Sequence, residues 1–168
     1  MDGTTLRELQ APLKQRYRDE PATALTPLEA TAAFDDAAIT GTVQTWAGPI
    51  RAGLHPAAGG DACSGDMLLQ ALPACTGVTL ASVATALGID IRSARLHAQG
   101  QFDARGTLGI SRDIPVGAHG IQLTVDLDTD ADDEVIARLA AMTERYCVVG
   151  QSLAEPPHLT IRRTATAG

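Results

Sequence analysis

Three side chains in this 168-residue chain carry the chemistry most easily recognised from residue type alone: Cys63, Cys75 and Cys147. A thiol reacts as its thiolate, so its surroundings decide whether it is a nucleophile or a packing group. Cys63 immediately precedes Ser64, a candidate N-cap of a long helix, where exposed N–H groups and the helix dipole favour the thiolate. Cys75 falls on the apolar face of that helix, where burial raises a thiol pKa unless a charged partner approaches. Cys147 follows Glu144 and Arg145 where one helix ends and another begins, so Arg145 or a helix N-terminus is a candidate stabiliser of its thiolate. Spacing alone does not choose among the three. Each also fits as a small buried hydrophobe, and the intervals exclude a disulfide framework or a Cys-x-x-Cys zinc pair.

Other chemistry is less well supported. His55, His97, His119 and His158 form no His-x-x-x-His pattern, so a metal cluster would have to be assembled entirely by the fold. Gly59-Gly60 precedes a helix but lacks the longer glycine-rich phosphate-binding fingerprint. Ser64, Ser82 and Ser111 lack a nucleophile-elbow context. The carboxylates Asp132 and Asp133 sit at a helix start, where they complement the dipole. No cofactor and no metal are expected.

The elements that must position the thiols follow from the pattern of the chain. Thr5 to Glu8 has capping-box spacing ahead of Leu9, Leu13 and Tyr17, predicting an N-terminal helical extension over residues 1–20 with a kink at Pro12. Ala38 to Trp46 alternates like a strand, Ile50 to His55 reads as its hairpin partner, and Pro56 to Gly60 reads as a flexible turn. Ser64 to Leu87 is the strongest helical segment, apolar on most sides, with Asp66 in its first turn and Gly88 as its C′ residue. Pro73 should disturb it. Strands are expected over Ile89–Phe102, Thr107–Ser111, Ile121–Leu127 and His158–Arg163. A helix should follow Asp130–Glu134, with a short helical piece over Val148–Leu153. This is a single α+β domain over residues 1–168, in which a helix interrupts an otherwise antiparallel sheet.

Composition narrows the function classes. Hydrophobic residues make up 45% and the formal net charge is −7, which disfavours nucleic acid as a partner because phosphate neutralisation needs surplus Lys and Arg. No apolar run approaches the roughly 20 residues of a bilayer span, so no membrane is expected. The first ten residues lack a signal-peptide pattern, and the cytoplasm is the expected location.

Two stretches resemble a known family. Leu68 to Leu80, reading LLQALPACTGVTL, resembles the central-helix motif of the OsmC/Ohr superfamily, the osmotically inducible protein C and organic hydroperoxide resistance proteins. Thr143 to Leu153, reading TERYCVVGQSL, resembles the segment holding that family's second cysteine, with Val148 in place of the usual proline. The resemblance implies an intertwined homodimer with a long central helix and a second, cysteine-bearing helix. It further implies a thiol-dependent peroxidase acting on organic hydroperoxides. Cys75 would be oxidised to a sulfenic acid, Cys147 would resolve it as a disulfide, and a dithiol reductant would reopen that bond.

The family also uses an early-strand arginine and a glutamate near the start of the central helix. Gly65 stands at the glutamate position, with Asp66 one residue on and turned about 100° around the helix. Residues 19–50 contain no Arg or Lys, which leaves Arg51 as the substitute. Arg51, Asp66, Glu144, Arg145 and Cys63 are therefore the accessory candidates. Cys63 would lie about 18 Å along an ideal helix from Cys75. The alternative reading is a non-catalytic member that binds a small apolar or thiol ligand in its interface pocket.

Overall fold

The structure is a computed structural model that describes residues 2–35, 39–53 and 61–164. The turn expected over Pro56–Gly60, together with His55 and Ala38, lies outside the described residues. The chain divides into two compact units, Glu8–Leu68 and Met1–Arg7 with Leu69–Gly168.

Strands β1 (Thr31–Asp35), β2 (Thr40–Thr45), β3 (Gly48–Gly53) and β4 (Ala62–Cys63) form a four-stranded sheet in that order. The first two pairings are antiparallel and β3–β4 is parallel. Between β2 and β3, Gly48 takes φ +112°, a conformation open to glycine, and its carbonyl accepts a 2.6 Å hydrogen bond from the Thr45 hydroxyl. No strand was expected at β1, whose Thr-Ala-Ala-Phe-Asp sequence lacks a clear apolar and polar alternation.

Helix α1 (Gly3–Asp19) runs through Pro12. Its start differs from the expected capping box: Asp2 Oδ1 accepts from the N–H groups of Thr4 and Thr5 at 2.8 and 2.9 Å, which leaves Thr5 inside the first turn. Helix α2 (Ser64–Leu87) begins in one unit, continues into the other and is unbroken at Pro73. It ends as the glycine predicts. Gly88 has φ +70°, and the N–H groups of Ile89 and Gly88 return to the carbonyls of Ala84 and Thr85 in a Schellman closure.

In the unit holding most of α2, β5 (Ser93–Gln101), β6 (His119–Asp128) and β7 (His158–Arg163) form a three-stranded sheet in that order. The β5–β6 pair is antiparallel, whereas β6–β7 is parallel, which departs from the expected antiparallel sheet. The reason lies in the connection: α4 (Asp133–Tyr146) and α5 (Val148–Gln151) intervene between β6 and β7 and carry the chain back, as a parallel pairing requires. Asp132 caps α4 by accepting from the Val135 N–H at 2.8 Å.

The strand expected over Thr107–Ser111 is instead the short helix α3 (Ala104–Thr107) followed by turns. The Asp103 carboxylate accepts from the Arg105 N–H at 2.9 Å, and Gly109 reverses the chain with φ +68°. Local capping and turn chemistry prevail there over a weak alternation.

The core joins Leu72, Leu80, Val83 and Ala84 of α2 to Leu123, Val125 and Leu127 of β6, with Leu139 of α4 and Leu159 of β7. The β6 residues recur every second position because alternate side chains face one side of a strand. One expectation is corrected here. By length and composition, α2 is apolar enough to cross a membrane. Leu72, Leu80, Val83 and Ala84 of α2 join the core, while Leu68 and Val78 are exposed.

Truncation at the core centre tests this packing. Leu127→Ala should lower unfolding stability by about 2–5 kcal/mol, measured by urea denaturation, because Leu127 is fully buried.

Candidate active site

The site is built where α2 meets the junction of α4 and α5. Cys147 occupies that junction. Its N–H donates to the Thr143 carbonyl at 3.0 Å and completes α4, and its extended backbone (φ −75°, ψ 104°) then redirects the chain into α5. Its side chain caps the new helix, with the sulfur accepting from the Gly150 N–H at 3.4 Å. On the other side, the sulfur lies 3.3 Å from the Thr76 hydroxyl of α2. Cys147 is 3% exposed.

Cys75 is half-buried on α2, one residue before Thr76. Burial opposes ionisation of its thiol. Hydrogen bonding from the Val149 N–H, the Cys147 side chain and the Val148 N–H, with Thr79 as the smallest contributor, outweighs that penalty, so the Cys75 pKa falls below the ordinary thiol value. The Thr79 hydroxyl donates to the Cys75 carbonyl oxygen at 2.9 Å. Beside Cys75, neutral backbone donors at the start of α5 act in the direction expected of a charged partner. Both thiols are free, and Cys147 is among the groups that lower the Cys75 pKa, so two cysteines distant in sequence share one site.

A cavity of about 190 Å³ adjoins Cys147. Leu72, Leu123 and Leu159 give it apolar walls, and Glu144, His158 and Thr143 supply polar groups. Glu144 accepts from the Leu159 N–H at 2.7 Å and lies 3.4 Å from His158 Nδ1. The fully buried Thr143 hydroxyl has no hydrogen-bond partner among the described residues.

The family model for OsmC-like protein matches residues 57–162, more than half of the chain. The chain belongs to the OsmC-like family. An OsmC-like protein from Mycoplasma pneumoniae has a similar fold, with TM-score 0.66 and 17% identity over 83% of this chain and 96% of that one. Two organic hydroperoxide resistance proteins are also similar. One, from Elizabethkingia anophelis, gives TM-score 0.64 at 15% identity, and OhrB of Bacillus subtilis gives 0.56 at 16%, each covering 83% of this chain and 98% of the other. No curated protein matches the sequence.

The remaining candidates of this OsmC-like protein fall in both units. Arg145 is exposed and lies 5.9 Å from the Tyr146 ring centroid, and no contact with a cysteine sulfur involves it among the described residues. The backbone donor beside the Cys147 sulfur is the Gly150 N–H. Cys63, Arg51 and Asp66 belong to the other unit. There Arg51 lies 3.4 Å from Asp61 and 3.5 Å from the Thr40 hydroxyl, and Asp66 is exposed in the first turn of α2. Glu144 lines the cavity and does not donate to Cys75.

Sequence reasoning missed Thr76, Thr79, Val148 and Val149. For Thr79 a signal existed, because it lies one helical turn beyond Cys75; backbone donors leave no trace in residue type.

Iodoacetamide alkylation of Cys75 against pH should therefore titrate below an unperturbed cysteine. Cys147→Ala, which deletes a hydrogen-bonding neighbour, should move the midpoint upward, and peptide mass spectrometry would follow the site.

Proposed function

We propose that this OsmC-like protein is a thiol-dependent peroxidase that reduces organic hydroperoxides through Cys75 and Cys147. The observation that carries this reading is the donor set around Cys75, which favours its thiolate beside a second thiol. Family membership and structural neighbours among organic hydroperoxide resistance proteins support the same role.

The Cys75 thiolate attacks the hydroperoxide oxygen remote from the alkyl group. The O–O bond breaks, the alkoxide leaves and takes a proton as the alcohol, and Cys75 becomes a sulfenic acid. Cys147 then attacks the Cys75 sulfur, water is lost and a disulfide forms. The N–H groups of Val148 and Val149 hold negative charge at Cys75 before attack, and the Gly150 N–H and Thr76 hydroxyl orient Cys147 for resolution. A dithiol reductant returns both cysteines to thiols. The setting consistent with this cycle is the cytoplasm, where thiols are kept reduced. The chain acts in this reading as one domain over residues 1–168 and as an intertwined homodimer.

Cys75→Ser should abolish consumption of cumene hydroperoxide in a steady-state assay with dithiothreitol. Cys147→Ser should retain the first oxidation, trapped by dimedone as a Cys75 adduct, and lose disulfide-based recycling. Undiminished turnover by Cys75→Ser would reject the assignment.

A further inference from the structure

The oxidative half of the cycle uses the side of Cys147 that faces Cys75, and leaves the cavity on Cys147 without a role. Its lining includes Cys147 and omits Cys75. A thiolate that opens a disulfide approaches the attacked sulfur in line with the bond that breaks, from the side away from the leaving sulfur. A recess that reaches one cysteine and not the other imposes a direction on that attack.

The cavity's contents match the same step. Its volume of about 190 Å³ is below the roughly 300 Å³ of ordinary ligand sites, so it admits a compact thiol head rather than a whole cofactor. Leu72, Leu123 and Leu159 wall it with apolar surface, and the fully buried Thr143 hydroxyl lacks a partner. The lining also includes exposed His158, an imidazole 3.4 Å from the Glu144 carboxylate. Imidazole is the side chain best suited to accept a proton near neutrality, and the carboxylate orients the ring.

We propose that this cavity is the entry site for a small thiol reductant, which attacks the Cys147 sulfur of the oxidised protein while His158 takes the thiol proton. This rests on the two-cysteine reading above. The entering sulfur bonds to Cys147, the Cys75–Cys147 bond breaks, and Cys75 departs as a thiolate. A second thiol then attacks the entering sulfur, releases Cys147 as a thiolate that takes up a proton, and leaves as the oxidised disulfide of the reductant. Two electrons pass to the protein in all. The donors that stabilise the Cys75 thiolate also make it the better leaving group, which favours attack at Cys147 over attack at Cys75.

The test begins with full-length protein oxidised by diamide, so that disulfide formation does not depend on peroxide. Peptide mass spectrometry first verifies the Cys75–Cys147 bond; failure to form it would overturn the two-cysteine reading and this proposal with it. The oxidised protein is then mixed with excess 2-mercaptoethanol and quenched with N-ethylmaleimide. The proposal predicts the mercaptoethanol adduct on Cys147 and maleimide on Cys75, and the reverse distribution overturns it. His158→Gln should slow reduction by 2-mercaptoethanol on the order of a hundredfold near neutral pH. It should leave reduction by p-nitrothiophenol, already ionised, nearly unchanged. Pro156→Trp, at an exposed position of the cavity lining, should slow both thiols. If Pro156→Trp is reduced as fast as the wild type, the cavity is not the entry route.

Discussion

The approach of α2, carrying Cys75 and Thr76, to Cys147 at the break between α4 and α5 is the contact on which the rest of this site depends. It requires α4 to end at Cys147, because continuation of that helix would commit the N–H groups of Val148, Val149 and Gly150 to carbonyls one turn back. The break frees those donors, two toward Cys75 and one toward Cys147. Leu72 and Thr76 of α2 pack against the same junction: a Cβ at Gly150 would lie 3.8 Å from Leu72 Cδ1, and Thr76 reaches the Cys147 sulfur. Packing and thiol chemistry are thus properties of one contact.

The electrostatic consequence, within the unit that holds Cys75, is a thiolate favoured by hydrogen-bond donors. Arg145 in the same unit is exposed and makes no contact with a cysteine sulfur among the described residues. Backbone N–H groups have no ionisation of their own, are fixed by the helix start and need no side-chain ordering. They offset the desolvation of the half-buried Cys75 sulfur by hydrogen bonding to its charged form.

How much of this was legible in the sequence differs by residue. The long apolar run and Gly88 located both ends of α2, and the alternation of His158 to Arg163 located β7. Capping carboxylates gave the start of α4. The parallel pairing of β7 with β6 left no such mark, since alternation reports which face is buried and not strand direction. Thr107 to Ser111 misled because a local cap at Asp103 dominates there. At the site, the cysteines were visible as residue types and through resemblance. The stabilisers of Cys75 were not, because Val148 and Val149 act through backbone N–H groups that every residue except proline carries. Val148, where the family usually has proline, is for that reason a donor here.

The measurement that bears most directly on the central claim is peptide mass mapping of the fully reduced protein after one equivalent of cumene hydroperoxide, with hydrogen peroxide in parallel. The expected result is rapid formation of a Cys75–Cys147 disulfide with Cys63 left reduced, and a preference for the organic peroxide. Oxidation confined to Cys63, or three thiols unchanged, would contradict it.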